Sequence, residues 1–399
     1  MGVARGARLG ACAAAASIVL VASACSGGGT TAADDASTSR PSSSITTVDG
    51  GSSDGTGGAG SEGGEAAAPL VKPTAPLCTL AGPPAAAPGE VLVFDESFDG
   101  PLDPNRWNVE TGYKGHDGIL NTASAANAVP RDGALQVTTE TNPSDADHPW
   151  VSGQIDTLNR YARTYGKIEF RARFPFAKGL WYALWGRPWS QPFPEIDIEV
   201  VNRPTETMSQ VYFVNHWAAP PLPADARRSY AMFKQDVSDW HTYTVLWKPG
   251  SLEWLIDGVS KMTAQPQGVP NLPVYWIING WAGGWIGNPT VDTPASTTFQ
   301  VDYMRVYRVD GLIADPQIKV VNLHPDYAST SLIEVAIANF DEACVHVEMY
   351  DGGTLVSATS TAPYKFQLAP LTVGQAHQIS FVATDGVRST KVEVDATIH

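Results

Sequence analysis

The sequence predicts an all-β protein: two consecutive antiparallel β units behind a long non-globular N-terminal segment. Three observations predict it. From about Gly89, short runs of Val, Ile, Phe, Tyr and Trp alternate with polar residues and are cut by Gly, Pro, Asn and Asp. No stretch keeps helical periodicity over a dozen residues. Near Gly311 the texture changes, aromatics thin out and no further Trp occurs, which marks a second unit.

The chain opens with a basic segment carrying Arg5 and Arg8, then the apolar run "ACAAAASIVLVASA". That run is too short to span a bilayer stably and reads as an export signal over 1–24 rather than a membrane helix. Two processing readings stay open. Ala22-Ser23-Ala24 fits cleavage to a soluble secreted protein. Ala24-Cys25 resembles a bacterial lipobox, with Cys25 as the lipidated first residue, although a Leu is usual where Ala22 stands. The tract that follows, "SGGGTTAADDASTSRPSSS", favours the lipid anchor because it suits a tether. Residues 25–77 hold almost no large apolar side chain, cannot offset their ordering entropy by burial, and are expected to form a disordered linker.

The first β unit is expected over 78–310. Its strands, in order, are "EVLVF", "ALQVTTET", "GKIEFRARF", "EIDIEV", "QVYFVNHW", "WHTYTVLW", "LEWLIDG", "PVYWIING" and "FQVDYMRVYRV". Many short strands with turn chemistry between them predict a sandwich or barrel. The second unit, 313–399, runs through "IKVVNL", "LIEVAIAN", "VHVEMYDGGTLVS", "YKFQLAP", "HQISFVATDG" and "TKVEVDATI". Its length and strand count are those of an immunoglobulin-like sandwich. It shows no catalytic constellation, and its core is expected to be separate from that of the first unit, so that a chain ending near Val309 would keep its activity.

The net charge of −15 argues against nucleic acid or an anionic membrane surface as partner, and leaves a neutral polymer compatible. The four cysteines, Cys12, Cys25, Cys78 and Cys344, show no metal-ligand spacing. Cys78 and Cys344 are either a disulfide or two separate thiols.

The stretch "PFPEIDIEVV" carries the chemistry. Glu195, Asp197 and Glu199 occupy alternate positions, so a strand places all three on one face and sends Ile196 and Ile198 to the other. A solvated acidic face is the ordinary reading of such alternation. Here no Lys or Arg is interleaved on the face, and the neighbourhood is rich in Trp. Three like charges on one short strand raise at least one pKa. A neutral acid beside an ionised one is what general acid and nucleophile roles require. Glutamates four residues apart have Cα atoms about 13 Å apart. Side chains leaning over Asp197 bring their carboxyls to about 5–6 Å, the separation of a retaining glycosidase.

Glu195-Ile196-Asp197-Ile198-Glu199 resembles the active-site strand of glycoside hydrolase family 16, the clan of laminarinases, lichenases and xyloglucan transglycosylases. "FDESFDGPLDPNRW", "YGKIEFRARFPFAKGLWYALW", "WHTYTVLWKPGSLEWLIDG", "IINGWAGGW" and "VDYMRVYR" resemble further blocks of that family, in its order. The resemblance implies a concanavalin-like β-jelly-roll with a concave polysaccharide groove. It implies Glu195 as nucleophile, Glu199 as acid/base and Asp197 as modulator of their charge. Trp181, Trp185, Trp281 and Trp285 match groove-lining segments, and His216 and Asn279 match positions near the cleaved bond. Family members often hold a structural calcium, which here would involve Glu96, the carbonyl of Gly133 and Asp302. No cofactor is implied for catalysis. The uninterrupted acidic strand is of the lichenase and xyloglucan type, whereas "KGLWYALW" and "NGWAGGW" are closer to laminarinases. The second unit resembles bacterial immunoglobulin-like modules appended to extracellular enzymes.

The expectation is therefore a monomeric, exported, surface-anchored retaining endo-β-glucanase acting on β-1,3- or mixed-linked β-1,3-1,4-glucans. A transglycosylase is the rival of the same chemistry. A non-catalytic carbohydrate-binding jelly-roll is the rival of a different class.

Overall fold

The computed structural model describes residues 86–115, 117–218, 227–309, 311–312, 314–324, 326–341 and 345–399. The signal, the lipidation site Cys25, the linker, Cys78 and Cys344 lie outside the described residues.

The chain is all-β, as expected. Two mainly antiparallel sheets face each other in the first unit, the one parallel pair among the described residues of that unit being Asn121–Ala123 with Trp150–Ser152. The outer sheet runs Val259–Thr263, Ser251–Ile256, His241–Lys248, Gly166–Arg173, Ser296–Val309, Ala134–Thr141, Trp150–Ser152 and Asn121–Ala123, with Glu90–Glu96 and Ala128–Arg131 paired alongside. The inner sheet runs Arg228–Lys234, Gln210–His216, Glu195–Val201, Leu180–Pro188, Val274–Ala282, Gln154–Asp156 and Asn108–Val109.

One apolar layer joins the sheets. Ile196, Ile198 and Val200 point into it beside Tyr182, Leu184, Phe213, Trp276 and Ile278, opposite Ile168, Phe170, Val245 and Val301. The isoleucines between the carboxylates therefore fix the register of the acidic strand. A one-residue slip would drive three carboxyls into this layer and lift the isoleucines out. Each buried side chain contributes about 1.5–3 kcal/mol and each buried unpaired carboxyl costs more, so the slipped register is far above the native one.

The Leu180–Pro188 and Val274–Ala282 strands are buried along almost all their length, on both faces. Gly280 is required there by close approach. A Cβ at this position would lie 2.6 Å from the Thr139 hydroxyl and 2.7 Å from that of Ser152, and these two hydroxyls already share a buried 2.7 Å hydrogen bond.

The second unit is a smaller two-sheet sandwich. Gln317–Val320, Leu332–Ala338 and Tyr364–Gln367 form one sheet. Asp326–Tyr327, Ser389–Ile398, Ala376–Thr384, His346–Asp351 and Thr354–Thr359 form the other. Ile333, Val335, Val347, Met349, Phe366, Ile379 and Phe381 form its own apolar cluster. Its outer surface is not free, however. Ion pairs and hydrogen bonds tie it to the first unit, including Arg160 to Glu334 at 2.8 Å.

The calcium expectation does not fit the structure. Glu96 has both carboxyl oxygens taken by N–H donors: Phe98 at 3.0 Å on one, Trp107 Nε1 at 2.8 Å and Arg106 at 3.1 Å on the other. Asp302 is paired with Arg171 at 2.6 Å. With Gly133, these residues leave no convergent set of free carboxylates for a hard cation.

Candidate active site

The acidic strand sits third in the inner sheet, between Gln210–His216 and Leu180–Pro188. Strand pairing sets the neighbours of each carboxyl on the groove face. Glu195 lies opposite His216, Asp197 lies between Val214 and Trp185, and Glu199 lies between Tyr212 and Ala183. Asp197 is 4% exposed, and both glutamates keep partial access to solvent. The three predicted carboxyls therefore do share one face.

Burial is the largest force on these groups. It raises all three pKa values, and charge on Glu195 and Glu199 raises Asp197 further, well above its ordinary range. Glu199 also raises Glu195, against the opposing pull of Arg187. Arg228 and Arg203 oppose the rise at Glu199 without cancelling it. The trio therefore loses its protons in succession and starts with protons held near neutral pH.

His216 joins the trio. Ligand atoms of Glu195, Asp197 and His216 all lie within 4.8 Å of one another, the one group among the described residues that could hold a metal ion. It is the acidic centre itself and not the expected calcium site. Burial, then the charges of Arg228 and Arg227, pushes the imidazole down to about 3 and leaves it neutral.

Trp185 and Asn279 are brought together, but in a different relation from the one expected. Asn279 is fully buried, accepts the Trp185 indole N–H at 3.0 Å and donates to Gln154 at 3.4 Å. Its amide orients the tryptophan and is not free for a sugar hydroxyl.

Trp181 and Trp281 face each other across paired strands and stack, with centroids 6.0 Å apart and planes 29° apart. Both are buried, and Trp181 also donates to the Gly283 carbonyl. They form the base of an aromatic cluster. Trp285, half-buried, stands edge-on to Trp181 and to Tyr212, with the Arg203 guanidinium 4.8 Å from its ring. Trp285 and Tyr212 are thus better placed than the two buried tryptophans to offer an apolar face to a sugar.

Sequence reasoning missed Arg187, Arg203, Tyr212, Arg228 and Tyr230. For Arg187 the signal was present: it lies two residues after Trp185, hence on the same strand face. Its Nε donates to the Tyr275 hydroxyl at 2.7 Å, which holds the cation near Glu195. Tyr230, 57% exposed, flanks Val214 on the strand beyond.

The chain is 30% identical over 264 residues to a glucan endo-1,3-beta-glucosidase A1 of Niallia circulans, covering 55% of this chain and 38% of that one. It is 29% identical over 219 residues to the endo-1,3-1,4-beta-glycanase EglC of Rhizobium meliloti, covering 52% and 44%. The chain thus spans less than half the length of these curated relatives. The solved catalytic domain of an endo-1,3-beta-glucanase (laminarinase) from Thermotoga petrophila matches with a TM-score of 0.50 at 27% identity, covering 56% of this chain and 99% of that domain. Residues 119–305, which hold the acidic strand and its flanking arginines and aromatics, match the family model for glycosyl hydrolases family 16.

Proposed function

We propose that the protein is a retaining, endo-acting glycoside hydrolase that cleaves β-1,3- or mixed-linked β-1,3-1,4-glucans. The observation that carries this reading is the acidic strand: three carboxyls on one groove face, packed closely enough to hold protons near neutral pH.

In the first step, the Glu195 carboxylate attacks the anomeric carbon. The bond to the leaving glycosidic oxygen breaks as Glu199 gives that oxygen its proton, leaving a glycosyl ester on Glu195. In the second step, water gives a proton to Glu199 and attacks the same carbon, which frees Glu195 with the product in its original β configuration. Arg187 offsets charge on Glu195, and Arg228 and Arg203 offset charge on Glu199. Asp197, buried between them, keeps its proton and limits the charge on the strand. The relatives' activities on 1,3- and 1,3-1,4-linked glucans support the substrate class.

The test is product analysis across a panel of β-glucans, with NMR of the first product formed. Oligosaccharides from internal cleavage, appearing as the β-anomer, are expected. A first-formed α-anomer would contradict retention.

The N-terminal features support export, with a thioether-linked lipid on Cys25 and residues 25–77 as a tether. In cells producing the protein, Cys25→Ser should release it from membranes into the medium. An unmodified N-terminus at Cys25 of the native protein would favour the secreted form.

A further inference from the structure

The three-stranded sheet of the second unit has an unusual outer face. On the Leu332–Ala338 strand, Ile333, Val335 and Ile337 point inward to the local core. By strand alternation the opposite face should be solvated and polar. Instead it carries Ala336 and Ala338, which are 1% and 2% exposed. Small side chains at buried outward positions let another surface approach closely, and that surface belongs to the catalytic unit.

Ala338 falls in one apolar cluster with Ala162, Trp185, Tyr275 and Ile277, and with Trp189 packed against it. Asn339 joins the backbones. Its Oδ1 accepts the buried N–H of Thr164 at 2.7 Å, and its own N–H donates to the Ala162 carbonyl at 3.2 Å. Around this contact Glu334 pairs with Arg160 at 2.8 Å, and Asp341 pairs with Arg163 at 3.4 Å.

One contact reaches the segment that leads into the catalytic strand. Lys319 pairs with Ala336 across the sheet and shares its outward face. Its ammonium donates to the Trp189 carbonyl at 3.0 Å and lies 4.6 Å from the centre of the Trp189 ring. Burial lowers its pKa to about 8, which still leaves it charged at neutral pH but short of water. On the other side the Trp189 N–H donates to the Pro273 carbonyl at 3.3 Å. Trp189 begins the short segment through Pro194 that leads into Glu195.

We infer that the second unit is a fixed buttress of the active site, in which Lys319 pins the 189–194 segment and acts as a positioning residue for Glu195. Lys319 touches no substrate and acts through the backbone that delivers the nucleophile. This assignment rests on the glycosidase reading above. It also replaces the expectation that a chain ending near Val309 keeps its activity. Such a chain would lose the partner of the Thr164 N–H, uncover the apolar cluster and free Trp189.

The test uses the full chain. Lys319→Met removes both contacts at similar length, and Lys319→Arg keeps a cation and an N–H donor. Glu334→Gln weakens the interface at the Arg160 pair and serves as the control for stability alone. With wild-type cleavage of a β-1,3-glucan as the reference, Lys319→Met should lower kcat about tenfold, within the range that lost alignment costs, with KM nearly unchanged. Lys319→Arg should restore most of the rate, and Glu334→Gln should lower the melting temperature without that fall in kcat. The inference is overturned if Lys319→Met matches the wild type, if Lys319→Arg is as slow as Lys319→Met, or if Glu334→Gln loses as much kcat. A wild type that cleaves no glucan would instead refute the glycosidase reading.

Discussion

His216 Nε2 lies 3.8 Å from Asp197 Oδ2, too far for a hydrogen bond yet inside the buried acidic centre. An imidazole beside three carboxyls would ordinarily gain a proton. Here burial and the charges of Arg228 and Arg227 win, and the ring is held neutral with a pKa near 3. NMR of the ring should therefore show no protonation of His216 between pH 5 and 8. A His216 transition near pH 6.5 would mean that burial and the arginines do not control it.

Glu199 has its pKa raised from 4.5 to about 7, by burial first. Catalysis needs one proton on the pair, held by Glu199 while Glu195 is ionised. Because the two carboxyls are coupled and both raised by burial, kcat/KM should pass through a maximum near neutral pH and fall once the pair has lost both protons or gained both. Glu199→Ala should lose activity by two or more orders of magnitude on glucan, in line with loss of a general acid. Azide should restore turnover of an aryl β-glycoside with a good leaving group and yield the β-glycosyl azide. No rescue would remove Glu199 from the acid/base role.

The same shifts predict a pH-dependent stability. Glu195 is raised from 4.5 to about 8 and Glu199 to about 7, so the folded state binds more protons than the unfolded one between about pH 4.5 and 8. Stability then decreases with rising pH across that window, being greatest below 4.5 for these groups. The melting temperature should drop by roughly 2–4 °C for each kcal/mol lost. Glu195→Gln should flatten the slope. A melting temperature that rises from pH 5 to 8 in the wild type, with no change of slope in the variant, would contradict the burial argument.

Asn279→Ala removes the acceptor of the Trp185 indole N–H, in a site where Asn279 is fully buried and Trp185 nearly so. Leaving a buried donor unpaired costs about 1–3 kcal/mol. Denaturant unfolding should show that loss, together with a higher KM as Trp185 becomes loose. An unchanged stability would indicate that the indole finds another acceptor.

The acidic strand was legible in the sequence because a strand has a period of two. Glu195, Asp197 and Glu199 could only share a face, and Ile196 and Ile198 could only leave it. The tryptophans were harder. Trp181 and Trp281 stack on each other beneath Trp285, and nothing local distinguishes a buried base from an exposed platform. The metal expectation at Glu96 rests on the family resemblance alone, and the carboxyl's actual partners, Arg106 and Trp107, come from a turn ten residues on. The docking of the second unit was invisible for a similar reason. Ala336 and Ala338 are unremarkable in a strand until the surface they meet, across more than 170 residues from Arg160 and Thr164, is known.

The central claim is that Glu195 forms a covalent bond to the sugar. Incubation with a 2-deoxy-2-fluoro β-glucoside bearing an activated leaving group should trap that intermediate, because fluorine slows its hydrolysis. Mass spectrometry of the peptides is the deciding measurement. The account predicts a single glycosyl adduct on Glu195, absent in Glu195→Gln. An adduct on Asp197 or Glu199, or turnover of the wild type through an inverted product with no adduct at all, would contradict it.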